Sequence, residues 1–191
     1  MGEIVDTVGW RLILERARDK AVNHNTASFV QLATFDPKLG AQVRTLVFRG
    51  FADDGESLLM ATDGQSAKLK QVRHDKRSQI VWYLVDARQQ FRFSGELVSV
   101  GHATRDQVER LALWRSLSYA TRSSFFANTL GELEGDVNAK VLSDGAPESF
   151  VMLKLVVTEV DHLDLNLNPH QRHRYVRERA HWKIERIGLN D

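Results

Sequence analysis

Residues 43–51 read Val43-Arg44-Thr45-Leu46-Val47-Phe48-Arg49-Gly50-Phe51, and Asp53-Asp54-Gly55 follows closely. β-Branched and aromatic residues dominate the run and an acidic glycine turn ends it, so it reads as a strand entering a hairpin. Its two arginines decide what kind of strand it is. Five positions apart, they face opposite sides of an ideal strand, and they meet one ligand only from different ends or across a bulge. Taken alone, the run is a half-buried strand with solvent-facing charges. A second segment changes that reading. Thr62-Asp63-Gly64-Gln65-Ser66-Ala67-Lys68 is a polar turn opening a helix. Thr62, Ser66 and Lys68 offer two hydroxyls and an ammonium beside the N–H groups of a helix start, the donor set a phosphate needs.

Outward from these segments, a helix is expected from about 7 to 22, with Trp10, Leu14, Ala17 and Ala21 on one stripe facing a core. Strands follow near 28–36, 43–51 and 58–62, with turns at Asp36-Pro37-Lys38-Leu39-Gly40 and Asp53-Asp54-Gly55. A short helix near 65–74 leads into strands near 78–85 and 89–100, then a helix near 104–117 whose start is marked by Thr104 with Gln107 three residues on. Residues 127–147 carry glycines, acids and Pro147 without either period and read as a long mobile loop. Strands near 150–161, 172–179 and 180–186 close the chain. So many antiparallel strands suggest a barrel with helices appended.

Composition bounds the function. A chain of 191 residues with 42% hydrophobic content is simplest as one domain, 1–191, burying roughly 70% of its unfolded surface. Charged residues make up 27% and cancel to a net +1, so no whole-molecule field points to nucleic acid or an anionic membrane, and any anion site is local. The absence of cysteine excludes disulfides, thiolate catalysis, iron–sulfur clusters and cysteine-bound zinc. The opening residues lack the basic start and apolar run of a signal peptide, and no stretch approaches twenty apolar residues. A soluble cytoplasmic protein without membrane or nucleic-acid partners is expected. No Gly-x-Gly-x-x-Gly or Walker loop is present. His170 and His173 lack a carboxylate at metalloprotease spacing, so no metal site is expected. The tail from His170 to Arg186 is basic with Tyr175 and Trp182 interleaved, but its charges alternate along strands as on a solvated sheet face.

The order of motifs resembles the pyridoxamine 5'-phosphate oxidase-like flavoproteins along most of the chain. Arg44 and Arg49 match a family Arg followed five residues on by a basic residue. Thr62, Ser66, Ala67 and Lys68 match a Thr, a Ser four residues on and two basic positions, and Gln90 stands five residues before Gly95 as a family Gln does. Gln89 is the alternative register. The tail carries the fullest match, in His170, Arg172, Tyr175, Arg177, Glu178 and the run Trp182-Lys183-Ile184-Glu185-Arg186. Departures fall at Arg49, usually Lys, at Ala67, usually basic, at His162 in place of a flavin-stacking Trp, and at Asn168 in place of an Arg. The family's Tyr-Arg-Ser substrate loop survives within 114–125 only as Arg122 and Ser124. The flavin site is thus better preserved than the substrate site.

The resemblance implies a mainly β (α+β) fold, an FMN-binding split β-barrel of antiparallel strands with appended helices that forms a homodimer around its flavins. It implies FMN contacts from Arg44, Thr45, Leu46, Val47, Arg49, Ala61, Thr62, Ser66, Ala67 and Lys68, with Gln90 and Arg172 contributed by the facing subunit. Arg49, Arg122, Ser124 and His170 would face a small-molecule substrate. Two functions stay open. One is an FMN-dependent oxidoreductase whose flavin accepts a hydride from a substrate such as pyridoxamine or pyridoxine 5'-phosphate, with no catalytic protein side chain required. The other is a non-catalytic FMN-binding module, a sensor or carrier. A deazaflavin or haem ligand is a third option, against which the phosphate set argues.

Overall fold

The computed structural model describes residues 9–104, 107–126, 145–179 and 181–188. Helix α1 (Gly9–Asp19) precedes strands β1 (Phe29–Asp36), β2 (Gly40–Phe51) and β3 (Leu58–Asp63). Helix α2 (Ala67–His74), strands β4 (Arg77–Leu84) and β5 (Gln89–Val100), and helices α3 (Val108–Ser116) and α4 (Tyr119–Ser124) come next. Strands β6 (Phe150–Asp164), β7 (Gln171–Glu178) and β8 (His181–Ile187) complete the order. The strands run antiparallel in the sheet order β3-β2-β1-β4-β5-β6-β7-β8, and β3 also pairs with β6. That extra pairing closes six strands into a barrel, and β7 and β8 continue beyond it. The architecture is the antiparallel split barrel that the motif order implied.

Alternation along the strands fills the barrel. On β4 every second residue from Ser78 to Leu84 is buried, and Ile80 and Trp82 meet Phe48, Phe91 and Phe93 from neighbouring strands. Helix α1 plugs the barrel with the predicted stripe, since Trp10, Leu14 and Ala17 are buried. Trp10 sets its ring edge-on to Phe93 at 5.6 Å and to Trp182 at 5.7 Å. Closure also needs a glycine: β5 shifts register against β6 between Ser94 and Gly95, and a Cβ on Gly95 would lie 2.0 Å from the Val156 carbonyl oxygen.

A second apolar cluster covers the outside of β3 and β6, where Leu113, Trp114 and Leu117 pack on Leu59, Phe150 and Met152. Arg110 pins it. Its buried guanidinium donates to the Phe150 carbonyl through Nε at 3.1 Å and to the Pro147 carbonyl through Nη2 at 2.7 Å.

Three local expectations are corrected. Helix α3 begins at Val108 rather than near 104, because Thr104 Oγ1 accepts from Gly101 N at 3.1 Å and Gln107 Nε2 donates back to the Gly101 carbonyl at 2.9 Å. Both side chains close the preceding turn instead of capping the helix. Helix α1 stops at Asp19, and Val22 N donates to Asp86 Oδ2 at 2.9 Å. Within the expected substrate loop stands helix α4, capped by Ser118 Oγ accepting from Thr121 N at 3.3 Å. Of the loop expected over 127–147, residues 127–144 lie outside the described residues. Ser149, just beyond it, donates its hydroxyl to the Phe125 carbonyl at 2.9 Å.

Candidate functional site

The turn after β3 and the first turn of α2 bring the phosphate-type residues together. Lys68 Nζ donates to Thr62 Oγ1 at 2.8 Å and to Ser66 Oγ. Beside it Arg44, reaching inward from β2, donates to Thr34 Oγ1 at 2.5 Å, to Gln71 Oε1 at 2.8 Å and to the Leu32 carbonyl at 3.3 Å. Gln71 is itself buried, also accepts from the Thr34 hydroxyl at 2.7 Å, and donates to Asp36 Oδ2 at 3.2 Å. Burial lowers the pKa of Lys68, and the positive charge of Arg44 lowers it further. Every hydrogen-bond acceptor of these two cations is a hydroxyl, an amide or a carbonyl. Among the described residues no carboxylate forms an ion pair with either one, so they are oriented without being neutralised.

Arg49 stands elsewhere. The pairing of β2 with β3 shifts between Phe48 and Gly50, which makes Arg49 the extra residue of a bulge, and Gly50 adopts φ +148°, a conformation that suits glycine. The bulge turns Arg49 toward a cavity of about 330 Å³ between α1, β2 and the end of α3, which Arg18 also lines. The two arginines of the opening segment therefore serve different places. Of their neighbours, Thr45 is exposed while Leu46 and Val47 are half-buried. Ala61 packs at the second cluster and Ala67 is exposed.

Gln90 and Arg172 share a third place. Gln90 pairs with Leu163 and Leu163 with Arg172, so all three form one row on one face of β5-β6-β7. Strand β5 is three positions from β2 in the sheet order. Arg172 is held by Asp161, donating at 3.0 Å from Nε and 2.8 Å from Nη2, and Arg92 donates to the same carboxylate. Burial alone would raise the Asp161 pKa, but these hydrogen bonds outweigh it and hold the group below the usual carboxylate range. Gln89 points the other way, buried, with Nε2 donating to Asp164 Oδ2 at 3.2 Å. His162 is buried and stacked on Phe91 at 4.5 Å with neither ring nitrogen bonded, and burial pushes its pKa down to about 4.

The loosely matched substrate residues are engaged locally. Arg122 donates through Nε to the Leu117 carbonyl at 3.0 Å and through Nη2 to the Arg115 carbonyl at 3.0 Å. The Ser124 hydroxyl donates to the Thr121 carbonyl at 2.7 Å. His170 is exposed, its Nδ1 at 2.9 Å from the Leu167 carbonyl oxygen. Several tail cations are paired, Arg177 at 3.1 Å from Glu56 in the β2–β3 turn and Arg174 at 3.8 Å from Glu159 on β6.

Comparison with known proteins identifies the family. Residues 7–101 match the model of the pyridoxamine 5'-phosphate oxidase, FMN-binding domain family. A pyridoxamine 5'-phosphate oxidase-related, FMN-binding protein of Nostoc punctiforme is 32% identical, aligned over 95% of this chain and 98% of its own, with a TM-score of 0.84. The chain belongs to the pyridoxamine 5'-phosphate oxidase-like FMN-binding family. A plant relative, pyridoxine/pyridoxamine 5'-phosphate oxidase 2 of Arabidopsis thaliana, is 29% identical over 83% of this chain and 84% of its own length. PhzG of Burkholderia lata, solved with tetrahydrophenazine-1-carboxylic acid, shares the fold at 19% identity and a TM-score of 0.71 over 93% of this chain and 88% of its own.

FMN is the cofactor of this FMN-binding family member. The residues present fit its phosphate, because Arg44 and Lys68 are two neighbouring like charges, each held by its own neutral acceptors, with their charge left over. Sequence reasoning missed Thr34 and Gln71, which orient Arg44, and Arg18 in the second cavity. A glutamine between Leu69 and Val72 on the buried side of α2 was the available signal for the first pair.

Proposed function

We propose that the chain is an FMN-dependent oxidoreductase acting on a small, phosphorylated substrate, working as one FMN-binding domain in a cytoplasmic homodimer. The observation that carries this reading is the Arg44–Lys68 pair, two partly buried cations that form no ion pair among the described residues. Burying such a pair is unfavourable unless an anion completes it, and a flavin phosphate monoester supplies that charge. In this reading Arg44, Lys68, Thr62 and Ser66 grip the phosphate. The backbone of Thr45, Leu46 and Val47, with Ala61 and Ala67, borders the flavin. Gln90 and Arg172 reach it from a second copy of the chain. Their row lies three strands from β2, and among the described residues no hydrogen bond or ion pair joins them to Arg44 or Lys68. A partner would bring the two halves of the site together. Family members are typically dimeric enzymes that act on small molecules.

When bound, FMN supplies the two-electron acceptor for a substrate C–N or C–O carbon. The chain's own part is to bind and orient. Arg49 faces the substrate from the bulge, and His170 lies at its other side from the partner. No protein nucleophile is needed. The described residues contain no helix long and apolar enough to cross a membrane.

The test is the visible spectrum of the purified protein, identification of the released chromophore, and anaerobic mixing with pyridoxamine 5'-phosphate. Released FMN whose bands bleach with that substrate is the expected result. A second reading, a non-catalytic FMN module, has one observation in its favour: Arg122 and Ser124, the residues matched to the family's substrate loop, donate to carbonyls of their own segment. Bound FMN that stays oxidised with phosphorylated and unphosphorylated amines and alcohols alike would favour it.

A further inference from the structure

Among the described residues, two arginines bury an Nε that has no hydrogen-bond partner and also form no ion pair. The Nε atoms of Arg18, on α1, and Arg49, at the β2 bulge, are buried without a hydrogen-bond partner. Neither residue forms an ion pair among the described residues, whereas Arg11, Arg77, Arg92, Arg172, Arg174 and Arg177 all do. Both line the same cavity, with the hydroxyl residues Ser28 and Ser116 at its wall. Arg18 sits over aromatic rings, its Cζ 4.9 Å from the Phe48 centroid and 5.2 Å from that of Trp82, a contact that uses none of its N–H groups. Burial lowers the pKa of each, yet a guanidinium stays charged at any ordinary pH. One carboxylate lines the cavity, Glu15, which accepts from Arg11 Nε at 3.0 Å; the charges of Glu15 and Asp19 favour the charged form of Arg18, but neither forms a hydrogen bond or ion pair with it among the described residues. Two desolvated, acceptorless cations facing one space leave a strong demand for an anion there.

We propose that Arg18 is the second arm of the substrate's anion site, and that Arg18 and Arg49 together hold the doubly charged phosphate monoester group of a small substrate. This rests on the FMN reading above for the meaning of "substrate" but not for the site itself. It also explains how a chain whose Arg122 is spent on backbone carbonyls keeps a two-cation grip: the second cation comes from α1 instead of the segment after α3. A guanidinium fork takes two phosphate oxygens at once, so two forks satisfy a phosphate monoester more fully than one.

The experiment is calorimetric titration of the FMN-loaded protein with pyridoxal 5'-phosphate, pyridoxal and inorganic phosphate, with flavin occupancy read from the spectrum of the same sample. The variants are Arg18→Gln, Arg18→Lys and Arg49→Gln. Arg18→Gln and Arg49→Gln should each weaken pyridoxal 5'-phosphate binding by about 10- to 100-fold with FMN retained. Arg18→Lys should restore part of that loss, and pyridoxal, lacking the phosphate, should bind every form equally. If Arg18→Gln is too unstable to titrate, Arg18→Lys decides. Loss of the fork should still cost it several-fold, and binding equal to wild type would overturn the proposal. Binding of pyridoxal 5'-phosphate by Arg18→Gln within threefold of wild type would overturn it too, as would an FMN-loaded wild type that takes up neither phosphate compound. A protein that binds no FMN, but whose phosphate binding falls with Arg18→Gln, removes the FMN reading and keeps this one.

Discussion

Two cationic regions of the molecule are built on opposite plans. Around Arg44 and Lys68 five hydrogen bonds are made in advance, to Thr34, Gln71, the Leu32 carbonyl, Thr62 and Ser66, all of them neutral acceptors. Around Arg18 and Arg49 no acceptor among the described residues reaches either Nε, and Arg18 sits over two aromatic faces. Neutral acceptors fix the direction of a cation without spending its charge, which suits a ligand that stays bound. Acceptorless cations await a ligand that supplies both the order and the neutralisation, which suits one that comes and goes. On our reading the first plan serves the cofactor and the second the substrate.

The comparison can be broken at several levels. The largest effect belongs to Gly95→Ala, where the new Cβ meets the Val156 carbonyl at 2.0 Å. Barrel closure should suffer by about 3 kcal/mol or more, lowering the melting temperature by roughly 10 °C, and both regions should lose their ligands together. Loss of one ligand alone in this variant would show that the regions do not share the barrel as their support.

Acid tests the packing of β6 in the barrel, where His162 stacks on Phe91. The unfolded chain protonates His162 near pH 6.5, while burial in the fold pushes its pKa down to about 4. The neutral ring therefore contributes stability that is complete above pH 6.5 and is lost progressively as pH falls toward 4, by about 3 kcal/mol in all. Denaturant midpoints measured from pH 7 to 4 should show that decline in wild type and a flatter profile in His162→Phe. Identical profiles would remove His162 as the cause.

Lys68→Ala should weaken FMN binding by about 30- to 100-fold, or roughly 2–3 kcal/mol, in a fluorescence titration. With FMN saturating, phosphate binding at Arg18 and Arg49 should hold within twofold, and a parallel loss would mean that the two regions are one site. The smallest effect, about tenfold in FMN affinity or roughly 1.4 kcal/mol, is expected from Gln71→Leu, which keeps the bulk but removes the acceptor shared by Arg44 and Thr34. FMN affinity unchanged in that variant would show that Arg44 needs no orientation by α2.

Much of the fold was legible because its signals are local. The period-two run of β4, the turns at Asp36 and Asp54, and the Trp10-Leu14-Ala17 stripe are each set by a few neighbouring residues, and the structure places these elements close to the expected positions. Helix α4 was missed because six residues carry too little pattern, although Ser118 with Thr121 was its signal. Thr104 and Gln107 misled for a related reason: a capping pair and a loop-closing pair have the same spacing, and only the path of the chain before the helix separates them.

What the sequence determined by itself was the order of elements and the clustering of Thr62, Ser66 and Lys68 between β3 and α2, the side chains we propose bind phosphate, since spacing along a chain decides both. What only the tertiary structure decided was where each arginine went. A bulge at one residue sends Arg49 away from Arg44, and the packing of α1 into the barrel brings Arg18 to a cavity 31 positions along the chain from its own, beside Arg49. Cross-strand register and helix docking are set by burial between distant segments, and no local pattern encodes which charges that burial leaves facing one another.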